Sequence, residues 1–162
     1  MALSINELTL RRGLIGICPM PGRDGRYAAD LAVIRDWGPA LVLTMTTAEE
    51  LQRKGAGGIG ADLRAAGIGW AHLPVTDYAA PGDAVMTEWR AAAGQAADIL
   101  DAGGRVLAHC MGGCGRSGAA LLRLMVEAGE DPLAALARLR QVRPCAVEGP
   151  GQFDWAAEGA AG

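Results

Sequence analysis

Lysine is nearly missing from this chain: Lys54 is the only one in 162 residues, and the other basic side chains are arginines. Fifteen basic against eighteen acidic residues leave a net charge of −3, so no lysine-rich tract exists to track a nucleic acid backbone. Nucleic acid is not an expected partner. Aromatic residues make up only 4%, and the uninterrupted apolar runs are short, which argues against a membrane span. Residues 1–12 mix Asn6, Glu7, Arg11 and Arg12 ahead of the first apolar cluster, so no secretory signal is expected there. The four cysteines, Cys18, Cys110, Cys114 and Cys145, are too sparse for a secreted disulfide scaffold. In a cytoplasmic protein they are expected as buried or working thiols, and the cytoplasm is the expected location.

What is present is a globular balance of 51% hydrophobic and 20% charged residues, without repeats or low-complexity tracts. One domain spanning residues 1–162 is expected. Residues 14–18 read as a buried strand stopped by Pro19, and residues 27–37 have helical spacing ending at Gly38-Pro39. A second strand at 40–45 precedes the capping box Thr47-Ala48-Glu49-Glu50 and a short helix to Lys54. A third strand is read at 68–75, then a helix from Ala84 to Asp101 capped by Asp83, and a fourth strand at 105–109. Helices follow at 117–128, at 132–142 with Asp131 as cap, and near Gly149. Strands alternating with helices predict an α/β fold, with a mostly parallel central sheet flanked by helices and a site at the carboxyl ends of its strands.

The turn after the fourth strand reads His109-Cys110-Met111-Gly112-Gly113-Cys114-Gly115-Arg116-Ser117-Gly118. A cysteine at a strand end faces six successive backbone N–H groups and a helix N-terminus, which together favour negative charge. Gly112, Gly113 and Gly115 are expected to use positive φ to turn consecutive amides inward around a tetrahedral anion. Arg116 presents a planar fork suited to two oxygens of one phosphate. The same positive surroundings favour Cys110 as a nucleophilic thiolate near neutral pH, steadied by a hydrogen bond from Ser117.

These residues resemble the cysteine-dependent protein tyrosine phosphatases, in their compact dual-specificity branch. His109-Cys110-x-x-Gly113-x-x-Arg116-Ser117 matches that family's signature in its strand–loop–helix setting, and the Met-Gly-Gly-x-Gly filling is similar to the kinase-associated phosphatase type. The stretch from Arg143 to Gln152 is similar to an Arg-Pro-Gly-x-Val-x-Gly-Pro-x-Gln motif of phosphatases acting late in the cell cycle, with Cys145 in place of a glycine. The resemblance implies a phosphotyrosine-phosphatase-like fold and a phosphomonoester hydrolase working through a phosphocysteine at Cys110, with no cofactor and no metal. It implies a phosphate loop of Met111, Gly112, Gly113, Cys114, Gly115 and Arg116. A general acid is expected at Asp77, in His72-Leu73-Pro74-Val75-Thr76-Asp77, with Asp83 as its competitor. Gln152 is a candidate for positioning the hydrolytic water. The partner is then a phosphorylated protein or a small phosphomonoester, and no oligomeric state is implied.

Several alternatives stand beside this reading. The same cradle suits a phosphate-binding module without turnover, a phosphatase of a small non-protein phosphomonoester, or sulfur and arsenate chemistry at the same thiol. His109, next to Cys110 on one strand, points to the opposite face and is expected to support the loop by hydrogen bonding. Cys114 is either a variable loop residue or a trap for oxidised Cys110. Zinc held by His109, Cys110 and Cys114 lacks further ligands. Gly55-Ala56-Gly57-Gly58-Ile59-Gly60 fits a dinucleotide-binding pattern but follows a helix, so a connecting loop is expected. Relatives acting on phosphoinositides place lysines in the phosphate loop, and none lies between Cys110 and Arg116.

Overall fold

The computed structural model describes residues 2–161. Five strands, β1 (Asn6–Leu10), β2 (Gly13–Cys18), β3 (Leu41–Thr44), β4 (Gly69–His72) and β5 (Arg105–His109), form one sheet in the order β1-β2-β5-β3-β4. β1 is antiparallel to β2, and the remaining pairs are parallel. The parallel strands are apolar on both faces because helices cover both. Val42 and Leu107 pack with α1 (Tyr27–Trp37), α2 (Ala48–Arg53) and α3 (Ile59–Ala65). Their strand neighbours Leu41, Leu43, Val106 and Ala108 pack on the other face, with α4 (Asp83–Asp101), α5 (Gly115–Glu127), α6 (Pro132–Val142) and α7 (Pro150–Ala157).

The register aligns the strand ends. Cys18 pairs with His109, His109 with Thr44, and Thr44 with His72, so β2, β5, β3 and β4 finish along one edge. The loop after β5 leaves from the middle of that edge and runs directly into α5, which is buried on nearly all sides.

The α/β architecture and mostly parallel sheet are as the sequence pattern predicts, and the capping box at Thr47 and the Asp131 cap both form. Other details differ. β1 is an additional strand: in Asn6-Glu7-Leu8-Thr9-Leu10 only Leu8 and Leu10 are buried, the alternation of a half-exposed edge strand. The run 55–60 is not wholly a loop, since Ile59 and Gly60 open α3. Gly60 is needed there because a Cβ would lie 2.5 Å from the Trp70 ring. The third strand is shorter than read: regular pairing ends at His72, beyond which only the Leu73 and Val75 amides still bond the carbonyls of Thr44 and Met45. Asp83 does not cap α4: Gly82 occupies the cap position without a side-chain bond, and Asp83 is the first helical residue, where its charge complements the helix dipole. α5 starts at Gly115, two residues before the expected Ser117.

Candidate active site

The loop following β5 is built by turning its carbonyls outward. The carbonyl of Cys110 accepts from His109 Nδ1 at 3.4 Å, and that of Met111 from the Met20 amide at 3.1 Å. Those of Gly112 and Gly113 accept from Arg143 Nη2 and Nε, at 3.0 and 2.9 Å. The Cys114 carbonyl accepts from the Val147 and Gly118 amides, at 3.1 and 3.0 Å. In a trans peptide the C=O and the following N–H point in opposite directions, so five outward carbonyls turn the N–H groups of residues 111–115 inward. No hydrogen-bond acceptor among the described residues takes the N–H groups of residues 111–114. Those of Gly115 and Arg116 open α5 and have no intrahelical acceptor.

The glycines serve this geometry differently from the expectation. Only Gly113 has a positive φ, +72°, and a Cβ there would also lie 2.6 Å from the Cys18 backbone. Gly112 and Gly115 do not use positive φ; Gly115 is needed for space, since a Cβ would lie 2.9 Å from the Gln152 amide. The loop's outer wall is the segment between α6 and α7, where Val147 is held at φ +66°.

Cys110 lies at the floor of the loop, 3% exposed, with its Sγ 3.1 Å from Ser117 Oγ. His109 is fully buried on the opposite sheet face, with Nε2 2.7 Å from Thr44 Oγ1. A carbonyl only accepts, so Nδ1 carries the proton toward Cys110 and Nε2 accepts from the Thr44 hydroxyl, which in turn accepts from Trp70 Nε1 at 2.7 Å. Burial lowers the His109 pKa to about 4, so the imidazole is neutral.

Arg116 is 2% exposed, and most of its donors are committed. Nη1 donates to Glu50 Oε2 at 2.8 Å and to the Val75 carbonyl at 2.7 Å. Nη2 donates to Glu50 Oε1 at 2.9 Å and lies 3.3 Å from Asp77 Oδ1. Nε is buried and has no partner. Burial opposes the guanidinium charge, but Glu50, Cys110 and Asp77 outweigh it and raise the Arg116 pKa. The outer Nη edge therefore faces Glu50, and the donors left for two oxygens of an oxyanion are Nε–H and the second Nη2–H, on the side where Asp77 lies. The sequence pattern offers Glu50 only as the capping-box residue. It fills that role too, Oε2 accepting from the Thr47 amide at 2.9 Å, and hydrogen bonds from Arg116 hold its carboxyl down to about 2.

Asp77 follows β4 in the loop beside Arg116 and is half-exposed. Its Oδ1 accepts from the amide of Tyr78, whose φ is +63° and whose side chain is 71% exposed. Gln152 is fully buried: its Oε1 accepts from the Glu148 amide at 2.8 Å, and its Nε2 donates to the Ala79 carbonyl at 3.3 Å, linking α7 to the Asp77 loop. Asp83 lies beyond that loop, at the start of α4.

The cysteines depart from the expectation of four thiols. Cys114 is in a disulfide with Cys145, while Cys18 and Cys110 are free. Bonded to Cys145, Cys114 is not a free thiol beside Cys110, and it ties the phosphate-type loop to the segment after α6. Burial pushes the Cys18 thiol well up, leaving it protonated.

The sheet order and the amide-lined loop above Cys110 place the chain in the class of cysteine-dependent phosphatases with a phosphotyrosine-phosphatase-like fold. A family model described as "Polymorphic toxin system, DSP-PTPase phosphatase" matches residues 19–130, and the chain belongs to that family of dual-specificity-type phosphatases. The activity of such an enzyme requires a phosphorylated substrate.

Solved structures agree in fold. Kinase associated phosphatase (KAP), in a form with its catalytic-site cysteine replaced by serine, is 22% identical over 98% of this chain and 94% of its own, with a TM-score of 0.84. Tk-PTP in its active form is 25% identical over 91% of each chain, with a TM-score of 0.70. PTPMT1, solved in complex with PI(5)P, is 15% identical over 96% of this chain and 94% of its own, with a TM-score of 0.72. No curated protein matches the sequence. No helix among the described residues is long and apolar enough to cross a membrane.

Proposed function

We propose that residues 1–162 form a single dual-specificity-type phosphatase domain that hydrolyses phosphotyrosine, and phosphoserine or phosphothreonine, on proteins through a phosphocysteine at Cys110. The observation that carries this reading is the peptide orientation of residues 110–114, with carbonyls bonded outward and amides turned in above the sulfur. Such a ring neutralises the oxygens of a phosphoryl group bound above the sulfur.

In the first step the Cys110 thiolate attacks phosphorus, the P–O ester bond breaks, and protonated Asp77 gives its proton to the departing oxygen. The N–H groups of residues 111–116 and Arg116 Nε–H hold the three equatorial oxygens. The Nη2–H on the Asp77 side donates to the phosphoryl group as the substrate enters. In the second step water attacks phosphorus, the Asp77 carboxylate takes its proton, and the S–P bond breaks to return the thiolate, which accepts a hydrogen bond from Ser117. Gln152, buried and bonded to Glu148 and Ala79, orients the Asp77 loop and with it the carboxylate that takes the proton of the attacking water. His109 holds the Cys110 carbonyl outward and takes no part as a base. The substrate is a phosphoprotein, and the lysine-free loop disfavours a polyanionic lipid headgroup.

Steady-state hydrolysis of p-nitrophenyl phosphate tests the assignment. Cys110→Ser is expected to abolish turnover. Asp77→Asn is expected to slow it by about 10²–10⁴-fold and to flatten the alkaline limb of the pH–rate profile. Full activity in Cys110→Ser would end the proposal, and an unchanged alkaline limb in Asp77→Asn would remove Asp77 as the acid.

A further inference from the structure

Of the five outward carbonyls, those of Cys110, Met111 and Cys114 are held by a neighbouring ring or by backbone amides. Those of Gly112 and Gly113 depend on one side chain, Arg143, which is thirty residues away in sequence. These are also the two peptide units least constrained by their own residues, because glycine tolerates either orientation of the flanking peptide planes. A flip of either would turn a carbonyl oxygen into the loop, against the oxygens of a bound oxyanion, and remove an inward N–H. Arg143 resists both flips with one rigid fork. Nε and Nη2 reach the two carbonyls at 2.9 and 3.0 Å, while Nη1 donates to Asn6 Oδ1 at 2.9 Å and so anchors the guanidinium to β1. The Cys114–Cys145 disulfide fixes the segment carrying Arg143 to the same loop.

Building on the phosphatase reading, we propose that Arg143 is a positioning residue for the phosphate loop: by binding the Gly112 and Gly113 carbonyls from outside, it holds the Gly113 and Cys114 amides toward the phosphoryl group. It touches no substrate. Its charge acts through two aligned peptide dipoles, each with its carbonyl on the guanidinium and its N–H on the oxyanion, so its loss weakens oxyanion binding more than it weakens the fold. Lysine is a poor replacement, because a single ammonium lacks the planar spacing that serves two carbonyls and Asn6 together.

The test is direct tungstate binding by titration calorimetry on the oxidised enzyme, alongside kcat and KM for p-nitrophenyl phosphate and the melting temperature. Arg143→Met is expected to weaken tungstate binding by at least about tenfold and to raise KM, since two charge-assisted bonds are lost. Arg143→Lys is expected to recover only part of this and to stay at least about threefold weaker than wild type. Asn6→Ala releases only the anchor, and a two- to threefold weakening is expected, about the scale of one partly exposed bond. Should Arg143→Met fail to fold, the lysine and Asn6 variants decide. Tungstate affinity within twofold of wild type in the folded Arg143 variants would overturn the proposal. A wild-type enzyme that binds tungstate but does not turn over would instead refute the hydrolase reading, leaving the test of Arg143 intact.

Discussion

Replacing Glu50 by glutamine takes one negative charge from a buried cluster in which Arg116 already has an unpartnered Nε–H. The neutral amide keeps one acceptor for Arg116 but presents an NH₂ to a second donor, and it loses the carboxylate that accepts from the Thr47 amide at 2.9 Å. The fall of the Glu50 carboxyl from 4.5 to about 2, caused first by the Arg116 hydrogen bonds, corresponds to ~3 kcal/mol of interaction. Glu50 is almost wholly buried, so little of this is screened by solvent. In a domain of 162 residues that is a drop of roughly 6–12 °C in melting temperature. The pH dependence has a definite sign. A carboxyl whose folded pKa is lowered stabilises the fold above its unfolded value, so this contribution is complete above 4.5 and lost as the pH falls toward about 2. Glu50→Gln is expected to lack that acid-sensitive component. Freed from Glu50, Arg116 pairs more closely with Asp77, and kcat/KM for p-nitrophenyl phosphate is expected to fall by about 10–10²-fold. Thr47→Ala, which removes the cap alone, is expected to cost only about 1 kcal/mol. Thermal melts at pH 7 and 3.5, with kinetics at pH 6, make the comparison. A Glu50→Gln protein melting within about 2 °C of wild type, with kcat/KM retained, would refute the reasoning.

Reducing the Cys114–Cys145 bond, whose ends are 31 residues apart, or replacing Cys145 by serine, is expected to cost ~3.5 kcal/mol through regained chain entropy. Calorimetry of the serine variant checks it, and an unchanged transition would show that the bond contributes nothing. Burial lowers the His109 pKa from 6.5 to about 4, so its neutral form stabilises the fold by about 3 kcal/mol above pH 6.5, and that contribution is lost as the pH falls toward 4. Urea titrations of wild type and His109→Gln between pH 7 and 4.5 are expected to show a steeper acid loss for wild type, and parallel curves would contradict it.

The candidate loop after β5 was legible because its residues sit in one short segment. His109, Cys110, Arg116 and Ser117 are neighbours in sequence as well as in space, and the apolar strand and helix on either side announce their own geometry. Asp77 was reachable because β4 ends beside it, on the same sheet edge. Glu50 was hidden by its second role: the capping box accounted for it completely, leaving no unexplained charge to suggest a long-range partner. Arg143 was hidden for another reason. Its partners are carbonyl oxygens of glycines, which every residue possesses, so its bonds leave no trace in residue identity. The Cys114–Cys145 pairing joins residues 31 apart through a turn after α6 that nothing in their local sequence announces. α3 was obscured because its first turn carries Gly60, demanded by Trp70 and not by helix propensity.

The most direct test is to mix the enzyme with p-nitrophenyl phosphate labelled on phosphorus, quench in denaturant within milliseconds, and map the protein-bound label by peptide mass. The label is expected on the peptide containing Cys110, at a sulfur–phosphorus bond, and absent from Cys110→Ser. Turnover without any covalent label, or label on Ser117 or His109, would contradict the assignment of Cys110 as the nucleophile.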